Sequence, residues 1–432
     1  QRGQVVKTVT NNGTAKPVVL TAADLTTLGE GAVEVTTVTK DKAGNTTTTA
    51  DGADGDFTLD TVAAVAVADV VNTTEDVIST TGNVGTNDTS KDGSESYSLV
   101  GSATGLYGTL VLGANGAYTY TRTANLDAIQ TTAIDTFAYQ VRDGAGNTTQ
   151  STLKINMAPV NDAAVIGGVS SASVNETNTA QTATGTLTIT DVDSAATFVA
   201  QANVTGTNGY GKFSLTSAGV WTYTMNTAHD EFAAGVNYTD SFTATSADGT
   251  TKLVTVTMKG TNDQPTFTST ATISLSTTED TAYNFVIANS LVGKVTDVDA
   301  GASVKGIAIS WNQAPIDQGV WEWSTDGSTW TAVPADITGA ATSFNNPANA
   351  LYLNASDRLR FTPAANWNGN VNALVFRVAD DTMPATVSGT RLNVSSYNGS
   401  TGPMSLSPSS YTLSVSAAND APVVNQATVI DM

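Results

Sequence analysis

The chain has 432 residues, 18 Lys+Arg against 39 Asp+Glu for a formal charge of −21, no cysteine and one histidine. That excludes a disulfide scaffold, an iron–sulfur cluster, a thiol nucleophile, the usual structural zinc site and a His-rich metal centre. The sign of the charge excludes a nucleic-acid interface, and with charged residues at 13% the surface is built mainly from Thr, Ser, Asn and Gly.

The length predicts roughly three or four units of ~100–150 residues. Gln1-Arg2-Gly3-Gln4 leads straight into an alternating stretch with no signal peptide, and the end at Val429-Ile430-Asp431-Met432 looks cut, so the chain reads as a piece of something longer. Residues 21–28 predict one or two helical turns capped by Thr21 or Asp24. The longest apolar stretch, residues 62–68, falls far short of the ~20 residues of a membrane helix.

A short acidic junction then recurs: Leu59-Asp60-Thr61, Val160-Asn161-Asp162-Ala163, Asn262-Asp263-Gln264-Pro265 and Asn419-Asp420-Ala421-Pro422. Other features keep phase with it. Glu75, Glu176 and Glu279 follow the first three junctions at 14 to 16 residues. Asn87-Asp88-Thr89-Ser90-Lys91-Asp92, Asp191-Val192-Asp193 and Asp297-Val298-Asp299 follow about 30 residues on. Asp41-Lys42-Ala43-Gly44-Asn45, Asp143-Gly144-Ala145-Gly146-Asn147 and Asp248-Gly249 precede the next junction. Between the acidic words the apolar pattern alternates with period two, as in Gly108-Thr109-Leu110-Val111-Leu112, Tyr118-Thr119-Tyr120, Phe137-Ala138-Tyr139 and Trp221-Thr222-Tyr223. The reading is all-β: tandem antiparallel β-sandwich modules in an elongated array. The boundaries are a partial module at 1–62, modules at 63–162 and 163–263, a longer one at 264–420, and a following module or linker from 421 to 432.

Modules two and three resemble the tandem cadherin-like, VCBS-type repeats of giant RTX-type bacterial adhesins. The words that carry the resemblance are Thr74-Glu75-Asp76, Asp135-Thr136-Phe137-Ala138-Tyr139, Thr190-Asp191-Val192-Asp193, Asp240-Ser241-Phe242 and Gly260-Thr261-Asn262-Asp263. The first 62 residues resemble the C-terminal half of a bacterial Ig-like repeat, through Leu20-Thr21-Ala22-Ala23-Asp24-Leu25 and Phe57-Thr58-Leu59-Asp60. The resemblance implies an extracellular, type I secreted protein with calcium between modules. It implies one ion set of Glu176, Asp191, Asp193, Asp248 and a junction group, with Glu75, Asp88 and Asp143, and Glu279, Asp297, Asp299 and Asp380, as equivalents.

The chemistry agrees with that expectation. Clustered carboxylates repel unless a cation sits between them, and Ca2+ takes 6–8 oxygen ligands. Asp-x-Asp puts two side chains on one side of an extended segment, where both reach one ion. Candidate ligands are Asp41, Asp60, Glu75, Asp88, Asp143, Asp162, Glu176, Asp191, Asp193, Asp248, Asp263, Glu279, Asp297, Asp299, Asp380 and Asp420. The competing reading of each is a solvated turn residue.

Five of the six tryptophans lie in module four, and Trp321, Trp323, Trp330 and Trp367 read as an aromatic platform for a glycan or peptide, or else as core. No nucleophile is placed beside His229-Asp230-Glu231, so no enzyme activity is expected. The expected protein is a monomeric, calcium-stiffened stalk segment of a bacterial surface adhesin, used in cell adhesion and biofilm, whose partners are its own neighbouring repeats, without membrane insertion. Two alternatives stand beside it: a ligand-binding module four carried on the stalk, and an accessory region of a secreted polysaccharide-degrading enzyme.

Overall fold

The computed structural model describes residues 5–10, 16–50, 56–89, 93–269, 272–334 and 347–420. Ser90-Lys91-Asp92 and the stretch 421–432 lie outside them. The chain divides into two compact units, residues 1–164 with 191–195, and residues 165–190 with 196–432.

In the first unit, the helix Ala22–Leu28 starts at Thr21, whose hydroxyl accepts from the Asp24 N–H while Asp24 reaches back to the Thr21 N–H. Two small antiparallel pairs follow, Gly31–Val33 with Phe57–Leu59 and Thr36–Lys40 with Thr46–Ala50. No described residue before Ala64 is buried, so this stretch has no core among its described residues.

The remainder of the unit is a sandwich. One sheet orders Asp69–Thr74, Thr148–Ala158, Ala133–Arg142 and Ser96–Val100; the other orders Ser79–Asn83, Ala117–Arg122 and Gly108–Leu112. Alternation puts Phe137, Tyr139, Val141, Leu153, Ile155 and Met157 between the sheets with Leu110 and Tyr120. The second unit repeats this plan. Val165–Gly168, Thr182–Thr190, Val220–Met225, Gly211–Leu215 and Gln201–Thr205 form one sheet, and Ser171–Asn175, Thr251–Lys259 and Asn237–Thr245 the other. Trp221 and Tyr223 are wholly buried in its core. Glycine sits where an aromatic ring lies flat on the backbone. A Cβ on Gly185 would come within 2.6 Å of the Trp221 ring, and one on Gly211 within 2.5 Å of Tyr223.

The third sandwich is larger. Its six-stranded sheet orders Thr272–Thr278, Ser409–Ser416, Gly369–Asp380, Val304–Asn312, Ala350–Asn354 and Arg391–Leu392, and faces Tyr283–Val286, Arg358–Pro363, Gly319–Ser324 and Thr331–Ala332. Ile307, Ile309, Leu353, Phe376 and Val378 face the four-stranded sheet. The alternate residues Ala308, Tyr352 and Ala379 carry a second small core on the outer face, closed by Met383, Val394 and Met404. The Gly/Ser/Asn-rich stretch after Asp380 is therefore a cover packed on the sheet, and it contributes part of the extra length.

One feature departs from the antiparallel expectation. In each sandwich a strand near its start pairs parallel with the last: Asp69–Thr74 with Thr148–Ala158, Ser171–Asn175 with Thr251–Lys259, and Thr272–Thr278 with Ser409–Ser416.

Candidate metal centre

The parallel pairing positions the phased glutamates. Glu75, Glu176 and Glu279 each follow the parallel-paired strand near the start of their sandwich, and their N–H groups donate to the carbonyls of Ala158, Lys259 and Ser416 at 3.0, 2.8 and 2.9 Å. Each carboxylate thus lies beside the stretch by which the chain leaves the sandwich. Glu75 Oε1 accepts from the Val160 N–H (2.8 Å), Glu176 Oε2 from the Thr261 N–H (3.1 Å) and hydroxyl (2.6 Å), and Glu279 Oε1 from the Ala418 N–H (2.7 Å). All three are buried.

In the first unit the junction Asp162 meets the Asp191-Val192-Asp193 loop. The Asp162 N–H donates to Asp193 Oδ2 at 3.3 Å, and Asp191 Oδ1 accepts from the N–H groups of Asp193 (3.1 Å) and Ser194 (2.7 Å). Those bonds use one oxygen of each loop aspartate. Glu75 Oε2, Asp191 Oδ2 and Asp193 Oδ1 are buried with no hydrogen-bond partner among the described residues. Burial pushes the Asp162 carboxyl above its ordinary value, and the negative charges of Asp127, Asp193, Asp76 and Asp191 push it the same way.

The second unit holds a fuller version. The Asp263 N–H donates to Asp299 Oδ2 (3.1 Å), the Asp299 N–H to Asp297 Oδ1 (3.1 Å), and Asn262 Nδ2 to Asp380 Oδ2 (3.2 Å). Glu176, Asp230 and Asp263 bring carboxylate oxygens within 4.8 Å of one another, the one such trio among the described residues. Asp230 Oδ1, Asp263 Oδ2, Asp297 Oδ2, Asp299 Oδ1, Asn262 Oδ1 and Gln264 Oε1 are buried with no partner among the described residues. Burial, joined by the charges of Asp297, Asp263 and Asp380, raises the Asp299 carboxyl to about 6, and burial also raises Asp263 and Asp297.

Several buried oxygens of like charge facing one another without donors are costly unless a cation or protons intervene. The donor set is carboxylate and amide oxygen throughout, which suits a hard divalent cation and specifically the 6–8 oxygens of calcium. Nitrogen and sulfur are missing from it. The chain has no cysteine, and both ring nitrogens of His229 are engaged, with Glu231 (2.7 Å) and the Tyr210 carbonyl (2.8 Å).

The fold groups these residues differently from the sets implied by the resemblance. Glu176 lies with Asp230 and Asp263, while Asp191 and Asp193 lie with Asp162. Other candidates meet donors. Asp143 accepts from the N–H groups of Gly146 and Asn147 and from the Asn147 amide, at 2.7 to 2.9 Å, and Asn147 Nδ2 also reaches the Asp60 carbonyl. Asp41 holds its own turn in the same way, through Ala43 and Asn45. Asp248 accepts from Thr250 and Ser246, Asp88 from the Val67 N–H and the Tyr97 hydroxyl, and Asp60 from the Val62 N–H. Glu279 has a second donor in Asn368 at 3.4 Å, and Asp420 is exposed.

Asp127 and Asp230 were missed by the sequence reading. They are 103 residues apart, as are Tyr118 and Trp221, so the repeat ruler carried the signal. The tryptophan platform needs correction. Trp321 and Trp323 do share a sheet face, but it is the inward one: Trp321 is wholly buried against Phe361 and Tyr411, and Trp323 and Trp367 pack on the same core. Trp330 lies under the Arg360 guanidinium, 4.1 Å from the ring centroid, and Arg360 is paired with Glu322.

Residues 61–159 and 161–260 each match the family model of the bacterial cadherin-like domain. Among curated proteins none matches the chain in sequence. Similar solved structures include protocadherin gammaB7 EC3-6 (14% identity, 81% of this chain and 72% of that one, TM-score 0.38). Drosophila N-cadherin EC1-4 (13%, 81% and 74%, 0.28) and mouse cadherin-23 EC22-24 (12%, 75% and 86%, 0.34) are two others.

Proposed function

We propose that residues 61–260, two bacterial cadherin-like repeats, and the larger sandwich after them form a calcium-dependent stalk segment of a secreted bacterial surface adhesin. Its role is structural rather than catalytic. The observation that carries this reading is the set of buried, donorless carboxylate oxygens at the two junctions, on Glu75, Asp191 and Asp193 and on Asp230, Asp263, Asp297 and Asp299. Glu75, Asp162, Asp191 and Asp193 would hold one set of ions, with Asp127 beside them. Glu176, Asp230, Asp263, Asp297, Asp299 and Asp380 would hold the other.

When bound, calcium supplies the positive charge these oxygens lack. The chain's own contribution is geometric. The parallel strand pair fixes each glutamate beside the exit stretch, and the junction N–H groups fix one oxygen of Asp193 and Asp299, leaving the other for the ion. An ion held from both sides of a junction restricts its bending; without it the like charges repel. No helix among the described residues is long and apolar enough to cross a membrane. Modules of this kind in extracellular settings bind calcium on the order of 10⁻⁴–10⁻³ M.

Calcium titration into chelator-treated protein by calorimetry, with small-angle scattering on the same samples, tests the proposal. Uptake in that range with an increase in particle length is expected. Absence of heat together with unchanged scattering overturns it.

A further inference from the structure

The two repeats build the loop that carries Asp127 or Asp230 on one hydrogen-bonded plan with different residues, Leu126, Ala128 and Ile129 in the first standing where His229, Glu231 and Phe232 stand in the second. The Ile129 N–H donates to the Leu126 carbonyl at 2.9 Å, and at the equivalent place the Phe232 N–H donates to the His229 carbonyl at 2.9 Å. Leu126 plugs its loop as a buried apolar residue. Its counterpart is the chain's single histidine, also buried, with a left-handed backbone (φ 60°).

That histidine is bonded on both sides. Nδ1 meets Glu231 Oε1 at 2.7 Å and Nε2 meets the Tyr210 carbonyl at 2.8 Å. Its ring stacks on Phe232 (4.7 Å, 7°), which stacks in turn on Tyr238. Beyond Glu231, the Ala300 N–H donates to the Glu231 carbonyl at 3.1 Å. Asp230 sits between the two anchored residues. Its buried Oδ1 has no donor among the described residues, so neighbouring backbone rather than its own hydrogen bonds must aim it. Around the histidine-bearing loop the three carboxylates converge within 4.8 Å, and no such trio forms around the leucine-bearing one among the described residues.

We infer that His229 is a positioning residue: it touches no ion, but clamps the loop so that Asp230 faces Glu176 and Asp263, giving the second junction a tighter calcium site than the first. This rests on the calcium reading above, and the test separates the two. The full chain is prepared with Asp193→Asn, which disables the first set, and separately with Asp263→Asn, which disables the second. His229→Leu, which restores the residue of the sister loop, is added to each, and calcium chloride binding is followed by calorimetry alongside a chelator-treated melt. In the Asp193→Asn background the substitution is expected to weaken calcium about tenfold, the usual cost of losing a group that orients a ligand. In the Asp263→Asn background it is expected to change nothing. Equal calcium affinity with and without His229→Leu in the first background overturns the inference while leaving the calcium reading intact. Absence of calcium uptake by the unsubstituted chain overturns both. Should His229→Leu fail to melt cooperatively, His229→Asn serves in its place. Asparagine tolerates the left-handed backbone but lacks the two-sided ring, so the same loss confined to the second junction is expected.

Discussion

Buried aspartates occur in two kinds of place in this protein. Asp135 and Asp240 lie inside the sandwiches; Asp263 and Asp299 lie at the junctions, with the half-buried Asp191 and Asp193, each of which has one buried oxygen. Asp135 accepts from the N–H groups of Leu106 (2.7 Å) and Gly108 (3.0 Å) and from the Tyr120 hydroxyl (2.7 Å). Asp240 does the same with Asn208 (2.9 Å), Gly211 (3.1 Å) and Tyr223 (3.3 Å). A carboxylate so surrounded by donors is complete and wants no metal. In Asp191, Asp193 and Asp299 one carboxylate oxygen is met by a backbone N–H, in Asp263 by the Asn178 side-chain amide (3.0 Å), and in all four the other oxygen is met by nothing among the described residues. Burial and charge alone therefore do not mark a cation site. The unmatched lone pairs do.

The sharpest way to break this comparison is to remove one member of each kind. Asp240→Ala strands the buried Gly211 N–H, the less buried Asn208 N–H and the buried Tyr223 hydroxyl, and should cost about 4 kcal/mol. The melting temperature of that repeat should fall by about 15 °C or more, equally with calcium and with chelator. Loss of calcium response in Asp240→Ala at a temperature where the repeat is folded would erase the distinction. Next in size is calcium itself. At a free concentration of about 100 times Kd each site adds about 2.7 kcal/mol, so chelation should lower the melting temperature by about 10 °C. Asp263→Asn should abolish most of that response in the second unit, with little change in the chelated melt.

Much of this was legible in the sequence, for a physical reason. Period-two alternation and turn words specify a sandwich locally, and a ruler of about 100 residues repeats them. Hence the all-β reading, the phased glutamates and the Asp-x-Asp loops all lie where residue spacing put them. What was not legible depends on pairing between distant strands. The parallel closure of Asp69–Thr74 on Thr148–Ala158 sets Glu75 beside Val160, and no local pattern announces it. The division of Glu176 from Asp191 and Asp193 follows from the same closure. His229-Asp230-Glu231 read as an isolated polar word because the carboxylates that meet Asp230, Glu176 and Asp263, are more than thirty residues away on either side. In the third sandwich, Met383, Val394 and Met404 cover a second sheet face, a role their scattered places among Gly, Ser and Asn conceal.

A smaller effect sharpens the comparison through pH. The Asp299 carboxyl is raised to about 6 from a reference of 3.8, by burial first and then by Asp297, Asp263 and Asp380. The folded, metal-free protein therefore binds more protons than the unfolded chain between these values. By linkage its stability rises as pH falls from 7 through 6 and levels off near 4. Asp162, Asp263 and Asp297 are shifted the same way. With calcium present the sign reverses, because protons compete for the ligand oxygens. Melts in chelator and in calcium should converge as the pH falls from 7 to 5. Parallel curves would mean that the raised carboxyls and the calcium ligands are different groups.

The smallest expected effect is at Asp41, and it tests the other side of the comparison. Its carboxylate is fully used by the N–H groups of Ala43 and Asn45 and by the Asn45 amide, which hold it below its ordinary value. The word Asp41-Lys42-Ala43-Gly44-Asn45 matches Asp143-Gly144-Ala145-Gly146-Asn147 in spacing and in hydrogen bonds, yet it lies where no described residue is buried. Asp41→Ala should loosen one exposed turn. Neither the cooperative melts of the sandwiches nor the calcium stoichiometry should change, because no core is coupled to that turn and no unmatched oxygen is lost. A drop in the number of ions bound by Asp41→Ala would mean that a carboxylate already supplied with donors can still recruit calcium, and unmatched lone pairs would no longer be the criterion that separates the sites from the turns.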